Sequence, residues 1–182
     1  MKRVLARGVT AAELGLARPL TLELVLLSVG GATLLGTFQG FNLRRISRME
    51  GPTVDLMRKL AAHLLPTKPV EFGPYCGLAV TAGACEEFLY RGFAMAALTR
   101  AGISTWAVVV ISSILFGLAH AYQGRRGIAG TAALGLVFAG SRLVFESLTP
   151  VIVWHAAVDI AAGIAGPRYL VVESAPTRYD SH

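Results

Sequence analysis

Two adjacent carboxylates, Glu86 and Glu87, stand with Arg91 inside a stretch otherwise apolar enough to cross a membrane. A charge near the bilayer centre costs at least about 2.5–3.5 kcal/mol on insertion scales, so such groups persist there only when they pair and face protein or water. Two more polar sets lie in later apolar segments: Phe116 with His120, and His155 with Asp159. In each, as in Glu87 with Arg91, the members are four residues apart, which stacks them on one helical face. Glu86 is turned about 100° from Glu87 and stays outside the Glu87–Arg91 pair. So many ionisable groups exceed what interhelical hydrogen bonding asks of a scaffold.

Brought together, these groups could hydrolyse an acyl bond. Glu86 and His120 would take a proton from water as a general base. His155 would donate to the developing oxyanion, with Asp159 holding its ring in the donating tautomer. No serine or cysteine has an obvious base partner, so water is the expected nucleophile. Glu86, His120 and His155 would equally make an N/O site suited to Zn²⁺, although the helical metalloprotease signature His-Glu-x-x-His is absent. The cofactor expectation is therefore none or zinc. Cys76 and Cys85 are nine apart, about 13 Å along one helix, beyond disulfide reach; both are expected to pack as inert thiols.

The elements that must position these residues are membrane helices. Of 182 residues 54% are hydrophobic and only 15% charged, against about 25% charged in soluble domains. The net charge of +6 does not point to nucleic acid, because most arginines flank apolar runs as interfacial anchors do. Apolar segments at about 20–38, 74–99, 103–122, 128–145 and 148–166 each approach the roughly 20 residues a crossing needs. The reading is an all-α, multi-pass transmembrane bundle of about five membrane segments, since open strands cannot span lipid. Residues 1–73 hold an N-terminal anchor span and a polar amphipathic region, with a capped helix beginning at Thr10 and a surface helix around Val54–Leu65 that Pro66 and Pro69 stop. Residues 74–166 form the catalytic core, and 167–182 a polar, disordered tail. If the last three segments were full crossings, His120 and His155 would lie roughly 20 Å apart, so the fourth is expected to be short, tilted or broken near Gly140-Ser141-Arg142.

The motifs Glu86-Glu87-x-x-x-Arg91, Phe116-x-x-x-His120 and His155-x-x-x-Asp159, with the run Phe-Gly-Leu-Ala-His-Ala-Tyr-Gln-Gly at 116–124, resemble the three motifs of the CAAX protease and bacteriocin-processing family of intramembrane proteases. That family includes the type II CAAX prenyl endopeptidases, and the resemblance spans about residues 74–166. It implies an intramembrane endopeptidase in which Glu86 and His120 activate water, His155 and Asp159 face the scissile carbonyl, and Glu87, Arg91 and Phe116 support the site. It leaves a metal-dependent and a glutamate mechanism both open. The implied partners are membrane lipid and a membrane-associated protein or leader peptide; the implied location is the plasma membrane of a prokaryote. Asp159 stands where many members carry asparagine, and an ionised aspartate cannot donate to an oxyanion. The alternative function is a non-catalytic membrane adaptor using the same fold.

Overall fold

The computed structural model describes residues 8–171. Residues 8–21 form a strap across one end of a helical bundle. In it Thr10 caps the short helix α1 (Ala11–Leu14) through a capping box with Glu13, and Gly15 ends it at φ 77°, a left-handed conformation that glycine adopts without strain. Both Nε and Nη2 of Arg100 lie 2.7 Å from Glu13 carboxylate oxygens. The Glu13 carbonyl accepts from Arg142 at 3.0 Å, the Gly15 carbonyl from the Leu148 amide at 2.9 Å, and Arg18 donates to the Phe145 carbonyl.

The long helix α2 (Leu22–Ser47) follows and packs along α8 (Thr149–Leu170). The two backbones approach closely where Gly31 faces the Trp154 indole and Gly36 faces Ala157 and Ala161. Trp154 closes this seam by donating to the Leu27 carbonyl at 3.1 Å. Much of the outer face of α2, including Leu26, Val29, Leu34 and Phe38, is exposed, as suits a helix in contact with lipid. Amphipathic α3 (Pro52–Leu64) seats Ala61 against Leu43 and Leu170. Next, α4 (Pro69–Glu87) runs through a π-helical turn (Phe88–Ala94) into α5 (Met95–Arg100). Helix α6 (Thr105–Ala119) then turns at residues 121–123 into α7 (Gly124–Phe145), which packs back along it.

The all-helical fold is as the sequence indicates, with no strand among the described residues. Several details differ. Among the described residues, three helical stretches are long and apolar enough, by length and composition, to cross a membrane: Leu22–Ser47, Ala121–Phe145 and Thr149–Leu170. The α4–α5 rod carries the site's charges, and α6 has only 15 residues, about 22 Å against a hydrocarbon core of about 30 Å. Helix α7 is unbroken through Gly140-Ser141-Arg142, because the strap carbonyl of Glu13 receives the Arg142 charge. Helix α8 continues through Pro167 to Leu170, so 167–170 are helix and not tail; residues 172–182 lie outside the described residues. Cys85 faces outward rather than into the packing, and Cys76 is partly exposed.

Two outcomes follow. A Cβ at Gly31 would collide with Trp154, whereas at Gly30 it would meet nothing within 4 Å. Gly31→Ala should therefore cost about 1–3 kcal/mol, the usual penalty of overpacking, and Gly30→Ala nothing, as read by melting in detergent. The Arg100 and Thr10 hydrogen bonds hold the Glu13 carboxyl at about 2, well below the usual range. A depressed carboxyl stabilises fully above its unfolded value and ceases to do so as pH falls through the folded one. Strap stability should decline from about pH 4.5 toward pH 2, and Glu13→Gln should flatten that limb of the melting profile.

Candidate active site

Gly83 lets α4 and α8 touch backbone to backbone, with the Ala156 amide 3.1 Å from where its Cβ would be. One turn further along α4, Glu87 meets His155. The Glu87 side chain is fully buried, and so is that of Arg91. A single carboxylate oxygen, Glu87 Oε1, accepts from Arg91 Nη1 at 2.8 Å and from His155 Nδ1 at 2.8 Å. A carboxylate beside a guanidinium is an acceptor, so His155 carries its hydrogen on Nδ1 and turns Nε2 toward the site. Arg91 Nη2 donates to the Gly135 carbonyl at 3.2 Å. Its guanidinium also lies 4.1 Å from the centre of the Phe116 ring, an arrangement worth about 2 kcal/mol when desolvated.

Phe116 is the spacer on which the site is assembled. Its ring stands edge-on to His120 at 4.8 Å and to His155 at 5.7 Å between centroids. The His120 Nδ1 lies 2.9 Å from the Phe116 carbonyl, which can only accept, so in neutral His120 the free lone pair is on Nε2. That Nε2 sits 3.8 Å from Glu86 Oε2, an oxygen that is buried and has no hydrogen-bond partner. The gap is too wide for a direct hydrogen bond. His155 Nε2 is likewise 3.6 Å from Asp159 Oδ2. Phe116 lies against both imidazoles, so the two pairs adjoin one another. Tyr75 steadies that part of α8 by donating to the Asp159 carbonyl at 2.8 Å.

The structure thus brings together all seven residues that the sequence singles out. The route differs from the one anticipated. No break in α7 is needed: His155 is six residues past the start of α8, while the His120 ring folds back toward Phe116. Sequence reasoning also gave the orienting of His155 to Asp159, whereas Glu87 does it through Nδ1. No spacing rule links residues on separate helices, so nothing in the sequence marked that bond. The π-helical turn was equally unmarked; Ser112 satisfies one of its carbonyls, Tyr90 O, at 3.0 Å.

Among the described residues no three His, Cys, Asp or Glu side chains come close enough to hold one ion. The donors stand as two facing acid–imidazole pairs, Glu86 with His120 and Asp159 with His155.

A family model described as Rce1-like type II CAAX prenyl endopeptidase matches residues 70–161. The matched stretch begins at α4 and contains all seven site residues; the strap, α2 and α3 lie outside it. No curated protein and no solved structure matches the chain.

Removing one partner from a buried ionic cluster leaves the other charge uncompensated, at a cost of about 3–5 kcal/mol. Glu87→Ala should lose about that much stability in a detergent melt. Asp159→Ala, at the more open edge of the site, should lose far less.

Proposed function

The chain belongs to the Rce1-like family of type II CAAX prenyl endopeptidases, and on that premise we propose that it is an intramembrane endopeptidase that cleaves a membrane-associated protein or peptide with water activated by Glu86 and His120. Family membership implies protease activity, and the apolar helices imply a membrane protein. The observation that carries the finer reading is the buried, unpartnered Glu86 Oε2 3.8 Å from His120 Nε2. A water held between them would have its proton accepted by Glu86 as its oxygen attacks the scissile carbonyl carbon. The electron pair of the carbonyl moves onto oxygen, giving a tetrahedral oxyanion. His155, held by Glu87 through Nδ1, would donate to that oxyanion from a protonated Nε2, with the Asp159 carboxylate facing that nitrogen at 3.6 Å. Collapse reforms the carbonyl, breaks the C–N bond and returns the proton from Glu86 to the leaving amine.

The proposed substrates are those the family description names, proteins ending in a prenylated CAAX box, with membrane-associated leader peptides as the alternative class. The proposed setting is a multi-pass protein of the prokaryotic plasma membrane that the resemblance implies, supported by the three helices among the described residues that are long and apolar enough to cross. The proposed chemistry needs no metal, and it is supported by acid–imidazole pairs rather than a three-donor cluster.

Cleavage of a farnesylated CAAX peptide, its unprenylated twin and a leader peptide by purified protein tests this reading. Glu86→Gln keeps size but not basicity, and His120→Ala removes the imidazole. Each should lower the rate by about 10²–10⁴, the usual worth of general base catalysis, with the melting temperature unchanged. Wild-type rate should survive chelation. Full activity in both variants, or complementation of a deletion by Glu86→Gln, would instead favour the adaptor.

A further inference from the structure

A second polar region lies away from the Glu86–His120 pair, at the strap end of the bundle. A cavity of about 780 Å³ opens there between the strap, the α4–α5 rod and the end of α7. Arg91 and Arg142 are both in its wall, with relative exposures of 0% and 8%. In each guanidinium the Nε–H is buried and finds no acceptor, though other nitrogens are held by Glu87, the Gly135 carbonyl and the Glu13 carbonyl. A buried donor left unmatched is unfavourable, more so when charged. The wall's two carboxylates do not answer this need: Glu13 is engaged by Arg100 and Thr10, and Glu146 interacts with Arg142 only as a charge.

We propose that this cavity binds a phosphate oxyanion, carried either on an anionic phospholipid or free in solution. Guanidinium groups match phosphate oxygens in geometry and charge. The cavity sits where α5 and α7 end and α2 begins, the level at which arginine anchors meet lipid headgroups. Met95 and Leu143 give it an apolar flank suited to the carbon part of a lipid. Because Arg91 also holds Glu87, the site touches the proposed catalytic cluster, but its occupancy is measurable whether or not the chain is a protease.

The test is thermal melting of the full chain in nanodiscs of phosphatidylcholine alone or mixed with phosphatidylglycerol, and in detergent with sodium phosphate against sodium chloride of equal ionic strength. A ligand that binds only the folded state raises the midpoint with the logarithm of its concentration. Ala17→Phe fills the cavity rim from an exposed position, and Arg142→Met removes one donor set. Both should abolish the rise, Ala17→Phe with its ligand-free midpoint unchanged. A rise with phosphatidylglycerol alone assigns the lipid headgroup; a rise with inorganic phosphate as well assigns phosphate itself. No rise in the wild type, or a rise that persists in Ala17→Phe, overturns the proposal, and that variant decides even if Arg142→Met does not fold.

Discussion

One carboxylate oxygen, Glu87 Oε1, holds the site together. It receives hydrogen bonds from Arg91 on its own helix and from His155 on α8, all three side chains being buried. Neither a lone buried carboxylate nor a lone buried guanidinium is tolerable in apolar surroundings, so each constrains the other. Through Arg91 the constraint reaches the α7 backbone at Gly135 and the ring of Phe116 on α6. Four helices are thereby fixed around one ion cluster. The same carboxylate that neutralises Arg91 also leaves Nε2 as the nitrogen of His155 that faces Asp159.

Such a cluster requires helices closer than large side chains allow. In lipid, where apolar contact alone gives little drive to associate, small residues supply the contact. Gly83 meets the α8 backbone, Gly117 meets Ala132 and the Ile128 carbonyl, and Gly135 meets Ser113 and Arg91. The π-helical turn serves the same end by a different means. It widens the rod between Glu87 and α5, and inserted π turns are common at functional sites. The carbonyl of Tyr90 within it is accommodated by the hydroxyl of Ser112.

The sequence made the members of the site legible because charges and imidazoles in apolar segments are costly, and four-residue spacing fixed their faces. It could not show which helix supplies each partner. Glu87 was readable as the mate of Arg91, four residues on, but its bond to His155 spans 68 positions. The helical fold was legible from hydropathy. Helix lengths were not, because hydropathy alone does not show that α6 stops after 15 residues. The strap was half visible: Thr10 and Glu13 announced a capped helix, while the destinations of Arg18, Arg100 and Arg142 are tertiary facts.

Aspartate at position 159 fits the geometry around His155. With Nδ1–H committed to Glu87, the facing atoms His155 Nε2 and Asp159 Oδ2, 3.6 Å apart, are both lone-pair acceptors unless a proton or a water stands between them. Asparagine could satisfy Nε2 by donating from its own amide, a self-contained solution that leaves the ring with a single hydrogen, on Nδ1. Aspartate cannot, so it requires a shared hydrogen on the side of the ring that faces the site. In the proposed mechanism, a proton on His155 Nε2 would lie between two carboxylates, Glu87 and Asp159, and would meet an oxyanion approaching from the Glu86 side. In that mechanism, a residue that looks unable to stabilise negative charge would contribute by keeping a donor on its neighbour, joining the second acid–imidazole pair to the same reaction as the first.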